Sequence, residues 1–147
     1  MKSKDVLKQL LPGIVVGLVL GFCLTMLVGV NTADPVPNYI GGAMACFIPT
    51  LLNCIIVLKG TAKHLDRKLS IGEAFLKTLP YALIALVIGF LTVFLIIEKA
   101  FGLNTCEIPV LATALYQAVL GVIMSTVSAY VALRSYESQV KYTRRKK

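Results

Sequence analysis

Four long apolar segments dominate the pattern of hydrophobic and polar positions in this chain of 147 residues. They cover approximately residues 10–30, 38–58, 77–97 and 108–133. Each segment is as long as the roughly 20 helical residues that cross a hydrocarbon core of about 30 Å. The pattern therefore predicts an all-α integral membrane protein, built as a single domain of four transmembrane helices.

Composition agrees with this class, because 57% of the residues are apolar and only 15% are charged. Soluble domains usually have about 45–50% apolar and about 25% charged residues. A cleaved signal peptide is the alternative interpretation of the first apolar segment, since Lys2, Lys4 and Lys8 precede it. The segment is long, and residues 31–35 lack a convincing cleavage site, so we expect the first helix to be retained.

The basic residues are concentrated on one side of the predicted membrane. Fourteen of the fifteen Lys and Arg residues precede the first segment, lie within residues 59–77 or follow residue 133, and the exception is Lys99. By the positive-inside rule, both termini, the loop 59–76 and the basic tail 134–147 are predicted to be cytoplasmic. This topology accounts for the net charge of +8 without nucleic-acid binding. The short outer loops, which carry no Asn-X-Ser/Thr sequence, favour a bacterial cytoplasmic membrane.

Residues 11–22 and 79–90 resemble each other at a constant offset of sixty-eight positions. Both stretches begin with Leu-Pro and end with Gly-Phe. The helices that follow Pro37 and Pro109 show no comparable match. We interpret the pattern as a parallel internal repeat of two similar helical hairpins, related by an axis along the membrane normal.

Small residues recur every four positions in the first segment, as Gly13, Gly17 and Gly21. This spacing places them on one helix face, where a neighbouring backbone can approach closely. Gly89 and Gly121 are the corresponding candidates in the third and fourth segments. Two interpretations remain open, namely packing within one bundle and packing against a second subunit around a pore. The predicted partners are therefore the lipid bilayer and either a second copy of the chain or another membrane protein.

Polar residues inside the spans are the candidates for function. Pro49 lies in mid-span and predicts a helix kink, because proline lacks the N–H that would bond the carbonyl four residues earlier. Asn53 and Gln117 are the best candidates to line a solute path, since an amide donates and accepts hydrogen bonds without a charge. Thr50 and Tyr116 lie beside them in the sequence. The alternative role for the amides is to hold helices together.

Asp, Glu, Lys, Arg and His are absent from the middle of every predicted span. Because proton-coupled transporters commonly keep such a residue in the membrane, this pattern disfavours proton coupling within the chain. The four cysteines form no Cys-X-X-Cys pair, so neither a metal site nor a cofactor is predicted. No catalytic signature is present, and His64 with Asp66 and Arg67 is the sole candidate group for an enzyme acting on lipid headgroups.

The leading hypothesis is transport or channel-like passage of a small neutral or weakly polar solute. The alternative is a non-catalytic accessory or regulatory subunit of a larger membrane complex. The basic tail has two interpretations of its own, which are binding of anionic lipid and a simple topology anchor.

Near the end of the predicted loop 59–76, Ser70 and Glu73 have the spacing of a capping box. This spacing predicts that the third helix begins before the bilayer.

Overall fold

The computed structural model describes residues 3–28, 34–102, 104 and 106–145, without the side chains of a few helical positions. The helices of this part of the chain are α1 (Ser3–Val28), α2 (Val36–His64), α3 (Ile71–Leu91) and α4 (Val110–Arg145), and α3 continues as the π-helical segment Thr92–Ala100. The described residues contain no strand. Four helical stretches are long and apolar enough to cross a membrane. The prediction of an all-α chain with four helices of transmembrane length is confirmed.

The helices extend beyond the apolar segments that predict them. α2 continues to His64, and α4 continues to Arg145 through much of the predicted basic tail. Hydropathy identifies the part of a helix that prefers lipid, whereas backbone hydrogen bonds continue through polar sequence on either side. The predicted loop 59–76 is therefore reduced to residues 65–70. Lys2, Gly29, Lys146 and Lys147 lie outside the described residues.

Local hydrogen bonds define the turn between α2 and α3. Ser70 accepts a bond from the Glu73 N–H at 3.1 Å and donates its own N–H to the Glu73 carboxylate at 3.2 Å. This confirms the predicted capping box. At the end of α2, Asp66 has a φ of 53°, and the Arg67 N–H bonds the Ala62 carbonyl at 2.9 Å. Together with the bond from Asp66 N–H to the Lys63 carbonyl, this forms a Schellman motif that ends the helix.

The central pair of the bundle consists of α2 and α4, which run in the same direction. The N-terminal parts of these helices meet where Gln117 bonds the backbone of Asn38, and their C-terminal parts meet in an apolar cluster that includes Leu58 and Ala132. α1 packs against both central helices. α3 packs closely against α2 but touches α4 only lightly, and the described residues of α1 and α3 are not in contact.

Small and polar side chains fill the space between the helices, while large apolar side chains face outward. Alanines such as Ala45, Ala82 and Ala114 are fully buried, whereas Leu27, Leu76 and Leu111 are more than half exposed. In lipid, an outward apolar side chain costs nothing, and helices associate by close packing and scattered hydrogen bonds. The interior therefore consists of groups that permit close approach. The basic end of the bundle is defined here by Lys59, Lys63, Arg67, Lys68, Lys77, Arg134 and Lys141.

Candidate functional site

A line of polar side chains follows the contact between α2 and α4, and we call it the α2/α4 seam. All its members are buried, with 0–2% of their surface exposed. The amides of Asn53 and Gln117 bond the backbone carbonyls of Ser125 and Asn38 across this contact. Thr50 lies three residues before Asn53 on α2, and Thr113 lies four residues before Gln117 on α4. The seam consists of Asn38, Thr50, Asn53, Thr113, Gln117 and Ser125.

Gln117 forms the polar site near the N-terminal ends of the two helices. Its Nε2 donates to the Asn38 carbonyl at 3.2 Å and to the Tyr116 hydroxyl at 3.4 Å. Glycines on α2 make room for this amide, because a Cβ added to Gly41 would lie 3.3 Å from the Gln117 Oε1. A Cβ on Gly42 would lie 3.7 Å from the Gln117 Nε2. The sequence candidates Gln117 and Tyr116 are thus adjacent and hydrogen-bonded.

Asn53 forms the second polar site, nearer the basic end. Its Nδ2 donates to the Ser125 carbonyl of α4 at 3.1 Å. Gly13 of α1 lies directly against the same amide, so that an added Cβ would overlap it. The amide is therefore held between α1 and α4. Its Oδ1 is buried and has no hydrogen-bond partner among the described residues.

A close backbone contact separates the two polar sites. Pro49 has no N–H to bond the Ala45 carbonyl four residues earlier, and this carbonyl lies against Gly121 of α4. Only a residue without a Cβ fits there, and its Cα–H groups can act as weak donors. α2 remains one helix through Pro49. The proline therefore leaves a carbonyl that a neighbouring helix covers, as expected from the sequence, while the kink stays a prediction.

Four buried oxygen atoms have no partner among the described residues, namely Thr50 Oγ1, Asn53 Oδ1, Thr113 Oγ1 and Thr126 Oγ1. Three belong to the seam, and Thr126 directly follows Ser125. Other buried threonines differ, because Thr61 donates to the Val57 carbonyl at 2.8 Å and Thr78 to the Phe75 carbonyl at 2.9 Å. A buried polar group without a partner costs about 1–3 kcal/mol. Three of the four unpartnered oxygen atoms therefore belong to residues of the seam.

The candidate packing glycines lie at contacts between helices of the same chain. A Cβ added to Gly17 would lie 3.0 Å from the Ser125 Oγ, and one added to Gly21 would lie 3.0 Å from the Ala118 Cα. On α3, a Cβ at Gly89 would lie 2.7 Å from the Gly42 carbonyl oxygen. With Gly13 and Gly121, all five glycines face a neighbouring helix within one bundle.

The cavities described in the structure lie at the ends of the bundle. Three lie at the basic end, with volumes of about 240, 570 and 220 Å³. A fourth, of about 320 Å³, lies beside Glu98 at the opposite end. None of these four is lined by the described side chains of Asn53, Gln117, Thr50 or Tyr116. The seam residues themselves are 0–2% exposed, so the seam is closed in this conformation.

Two clusters of hydrogen-bonded side chains, around Tyr39 and around Glu137, were not predicted from the sequence. At the end opposite the basic end, the Tyr39 hydroxyl donates to the Glu98 carboxylate, and the Tyr39 ring packs edge-on against Phe90 and Phe94. These partners are more than fifty positions apart, so no local pattern reveals them.

The second cluster surrounds Glu137 on α4. Its carboxylate accepts from Arg134 and from Lys141, each at 3.1 Å. Spacings of three and four residues on a helix could have predicted these pairs from the sequence. Tyr136 and Val140 are buried beside Glu137. This packing explains why the predicted tail begins as a continuation of α4.

The remaining chemical candidates are dispersed. His64, Asp66 and Arg67 are exposed and form no hydrogen bond or ion pair with one another. Within the described residues, no group of three His, Cys, Asp or Glu side chains is placed to hold a metal ion. The four cysteines are free, with Cys46 and Cys54 buried, Cys106 half-buried and Cys23 exposed. Comparison with protein-family models, curated proteins and solved structures finds no match.

Proposed function

We propose that this protein provides a path across the membrane for a small neutral or weakly polar solute, along the α2/α4 seam. The observation that carries the proposal is the group of unpartnered oxygen atoms of Thr50, Asn53 and Thr113 in that seam. The path has no proton-coupling residue of its own. The proposal includes the topology inferred from charge, with both termini cytoplasmic in a bacterial cytoplasmic membrane.

The energetic argument compares the seam with the rest of the interior. In hydrocarbon, water is not available to pair a polar atom, so each unsatisfied group is costly. Thr61 and Thr78 avoid this cost by bonding carbonyls of their own helices. The seam bears the free-energy cost of unpartnered polar atoms. This cost is expected where the same atoms bind a solute in another conformation. The amides of Asn53 and Gln117 supply a donor and an acceptor at two successive positions along the path.

The described conformation is the closed one. The contact between Gly121 and the Ala45 carbonyl separates the two polar sites, and apolar residues including Leu58 and Leu133 close the seam towards the basic end. Passage of a solute therefore requires α2 and α4 to move apart. Because α3 touches α4 only lightly, the cost of this movement falls mainly on the contacts that α1 and α2 make with α4.

A flux measurement with matched variants tests the proposal. The purified protein is reconstituted alone into liposomes, and the entry of glycerol and of urea is followed by light scattering. We expect flux above empty liposomes, reduced by Thr50→Val. The matched control is Thr78→Val, which makes the same change at an equally buried threonine of α3. Absence of flux for both solutes, or equal loss in both variants, contradicts the proposal.

The closed seam also favours a second candidate, a non-catalytic accessory or regulatory subunit. Contacts as close as those of Gly13 and Gly121 suit a rigid bundle that acts through its outer surface. Such a protein is inert alone and gains its effect only with a membrane partner or a second copy. Liposomes without flux, together with a stoichiometric membrane partner that purifies with the chain, select this candidate.

The proposed topology has its own test. A reporter active only in the cytoplasm, fused after Lys147, is expected to be active, whereas the same reporter inserted within residues 31–35 is expected to be inactive. The proposed internal repeat of two hairpins is compatible with either orientation, because four crossings always place the starts of α1 and α3 on the same side. The opposite reporter pattern contradicts the orientation and leaves the flux measurement unaffected.

A further inference from the structure

A crevice opens between α3 and α4 at the basic end of the bundle, and we call it the α3/α4 crevice. Its volume is about 240 Å³. Polar side chains at its walls are Lys77 and Tyr81 on α3 and Ser135, Tyr136 and Gln139 on α4, while Leu58 and Ala132 contribute apolar surface. An adjoining cavity of about 220 Å³ shares Tyr136 and Gln139 and adds Arg67 and Lys68.

Among the described residues, no acidic side chain pairs with the cations around this crevice. Lys77, Arg67 and Lys68 form no ion pair or hydrogen bond with another described side chain. The cations of α4 differ, because Arg134 and Lys141 both bond the Glu137 carboxylate. Glu73, the acidic residue closest to Lys77 in the sequence, is engaged in the capping box with Ser70. The crevice therefore combines unpaired cations with hydroxyl and amide donors.

The position of the crevice along α3 indicates which kind of anion it could bind. Lys77 is the last charged residue of α3 before the uncharged stretch of residues 78–97, a position that corresponds to the depth of lipid headgroups. The exposed side chains of Leu76 and Pro80 lie beside it on the outer surface of α3. The crevice thus opens towards lipid, with charged groups at its mouth and apolar groups deeper inside.

We propose that the α3/α4 crevice binds one anionic phospholipid. The phosphate lies against Lys77, with Arg67 and Lys68 at the mouth, and an acyl chain follows the apolar surface of Leu58 and Ala132. Basic pockets between transmembrane helices are sites of this chemistry. The proposal is independent of solute passage, because no seam residue lines the crevice.

Lipid retention measures this binding directly. The full chain is incorporated into nanodiscs of equal phosphatidylglycerol and phosphatidylcholine, released, and analysed by native mass spectrometry for bound lipid. We expect one phosphatidylglycerol molecule to be retained in preference to phosphatidylcholine. Lys77→Gln is expected to lower this retention about fivefold, the effect of one headgroup cation.

The control variants distinguish lipid binding in the crevice from attraction to the overall positive charge of the basic end. Lys63→Gln removes the same charge from the same end, but Lys63 lines a different cavity, so retention is expected to stay within about twofold of the original. Ser135→Leu fills the crevice without changing any charge and is expected to reduce retention. The thermal unfolding midpoint of each variant verifies that it remains folded.

Four outcomes overturn the proposal. Equal retention of the two lipids shows that the anionic headgroup is not selected. Equal loss in Lys63→Gln and Lys77→Gln shows attraction to the charge of the whole basic end. Unchanged retention in a folded Ser135→Leu variant places the lipid elsewhere. Binding of inorganic phosphate to the detergent-purified protein, lost in Lys77→Gln and without selection of phosphatidylglycerol, assigns the crevice to a free phosphate instead of a lipid. Each outcome is distinct from the absence of solute flux.

Discussion

α1 and α3 share the Leu-Pro and Gly-Phe pattern, yet they pack in different ways. α1 contacts both central helices, whereas α3 packs closely only against α2. At the constant offset of sixty-eight positions, Gly13 corresponds to Tyr81 and Gly17 to Ala85, while Gly21 and Gly89 are identical. The two helices therefore differ in side-chain volume at the positions nearest the basic end.

This difference in side-chain volume coincides with the loose contact between α3 and α4. Gly13 lets the amide of Asn53 lie directly on the backbone of α1. Tyr81, at the corresponding position, lines the α3/α4 crevice. Because helices in lipid associate through close packing, one large side chain at a contact position is enough to keep two helices apart. The same repeated pattern thus yields one tightly packed helix and one that borders a cavity.

The largest expected effect comes from introducing a large side chain into the tightly packed face of α1. Gly17→Leu would force a branched side chain into Ser125 and Val122 of α4. We expect a loss of about 3 kcal/mol or more in the free energy of unfolding. Size-exclusion chromatography in mild detergent should show every species diminished, because the contact lies within one chain.

The control for this variant is Gly72→Leu, since a Cβ there meets nothing within 4 Å. It should leave the elution profile unchanged. If Gly17→Leu converts an oligomer into a well-folded monomer, the first helix packs against a second subunit in solution, and the assignment of this face to the bundle is wrong.

A smaller change at the centre of the bundle tests the contact between α2 and α4. Gly121→Ala introduces a Cβ against the Ala45 carbonyl, which is backbone and cannot rotate away. We expect destabilisation of about 2 kcal/mol. A thiol-reactive dye reports the unfolding midpoint, because Cys46 and Cys54 are fully buried and become reactive when the chain unfolds.

The matched control is Gly72→Ala, which should be neutral or stabilising by up to about 1 kcal/mol, as alanine favours helix. An equal response of the two variants would mean that α2 and α4 are not in backbone contact at this position.

The packing difference between α1 and α3 is tested by one pair of variants at positions sixty-eight residues apart. Gly13→Ala requires the Asn53 amide to move, so we expect a loss of about 1–2 kcal/mol. Tyr81→Ala removes a half-buried ring that packs against the apolar cluster but also borders an open cavity, so we expect a smaller loss of about 1 kcal/mol or less. The thiol-dye midpoint measures both. A larger cost for Tyr81→Ala would show that α3 depends on this side chain as much as α1 depends on its glycine.

The smallest expected effect concerns the seam threonines. Thr78→Val removes a hydroxyl that bonds the Phe75 carbonyl, which should cost about 0.5–1 kcal/mol. Thr50→Val removes a hydroxyl without a partner among the described residues, and it should leave stability unchanged or raise it by about 1 kcal/mol. Reduced solute flux with undiminished stability is the combination expected of a functional group. A greater cost for Thr50→Val would show that its hydroxyl is bonded in the membrane.

Features that depend on neighbouring residues could be predicted from the sequence. The four apolar segments predicted four helices, because each long run of apolar side chains favours lipid independently of the rest of the chain. Ser70 and Glu73 predicted the start of α3, since both capping bonds span only three residues. Pro49 predicted a carbonyl without its helical partner for the same local reason.

Contacts between distant segments required the tertiary structure. Gly13 and Asn53 are both conspicuous in the sequence, but their contact depends on how α1 and α2 rotate about their axes, which hydropathy does not encode. The pairing of Gln117 with Asn38 joins positions 79 residues apart. Small residues on every helix permit several close packings, so their spacing alone did not show which faces meet. The sequence by itself determined which segments are long and apolar enough to cross a membrane, because hydropathy is a sum over single residues. Only the folded bundle decided where the seam and the crevice lie, because complementarity between helices depends on several side chains at once.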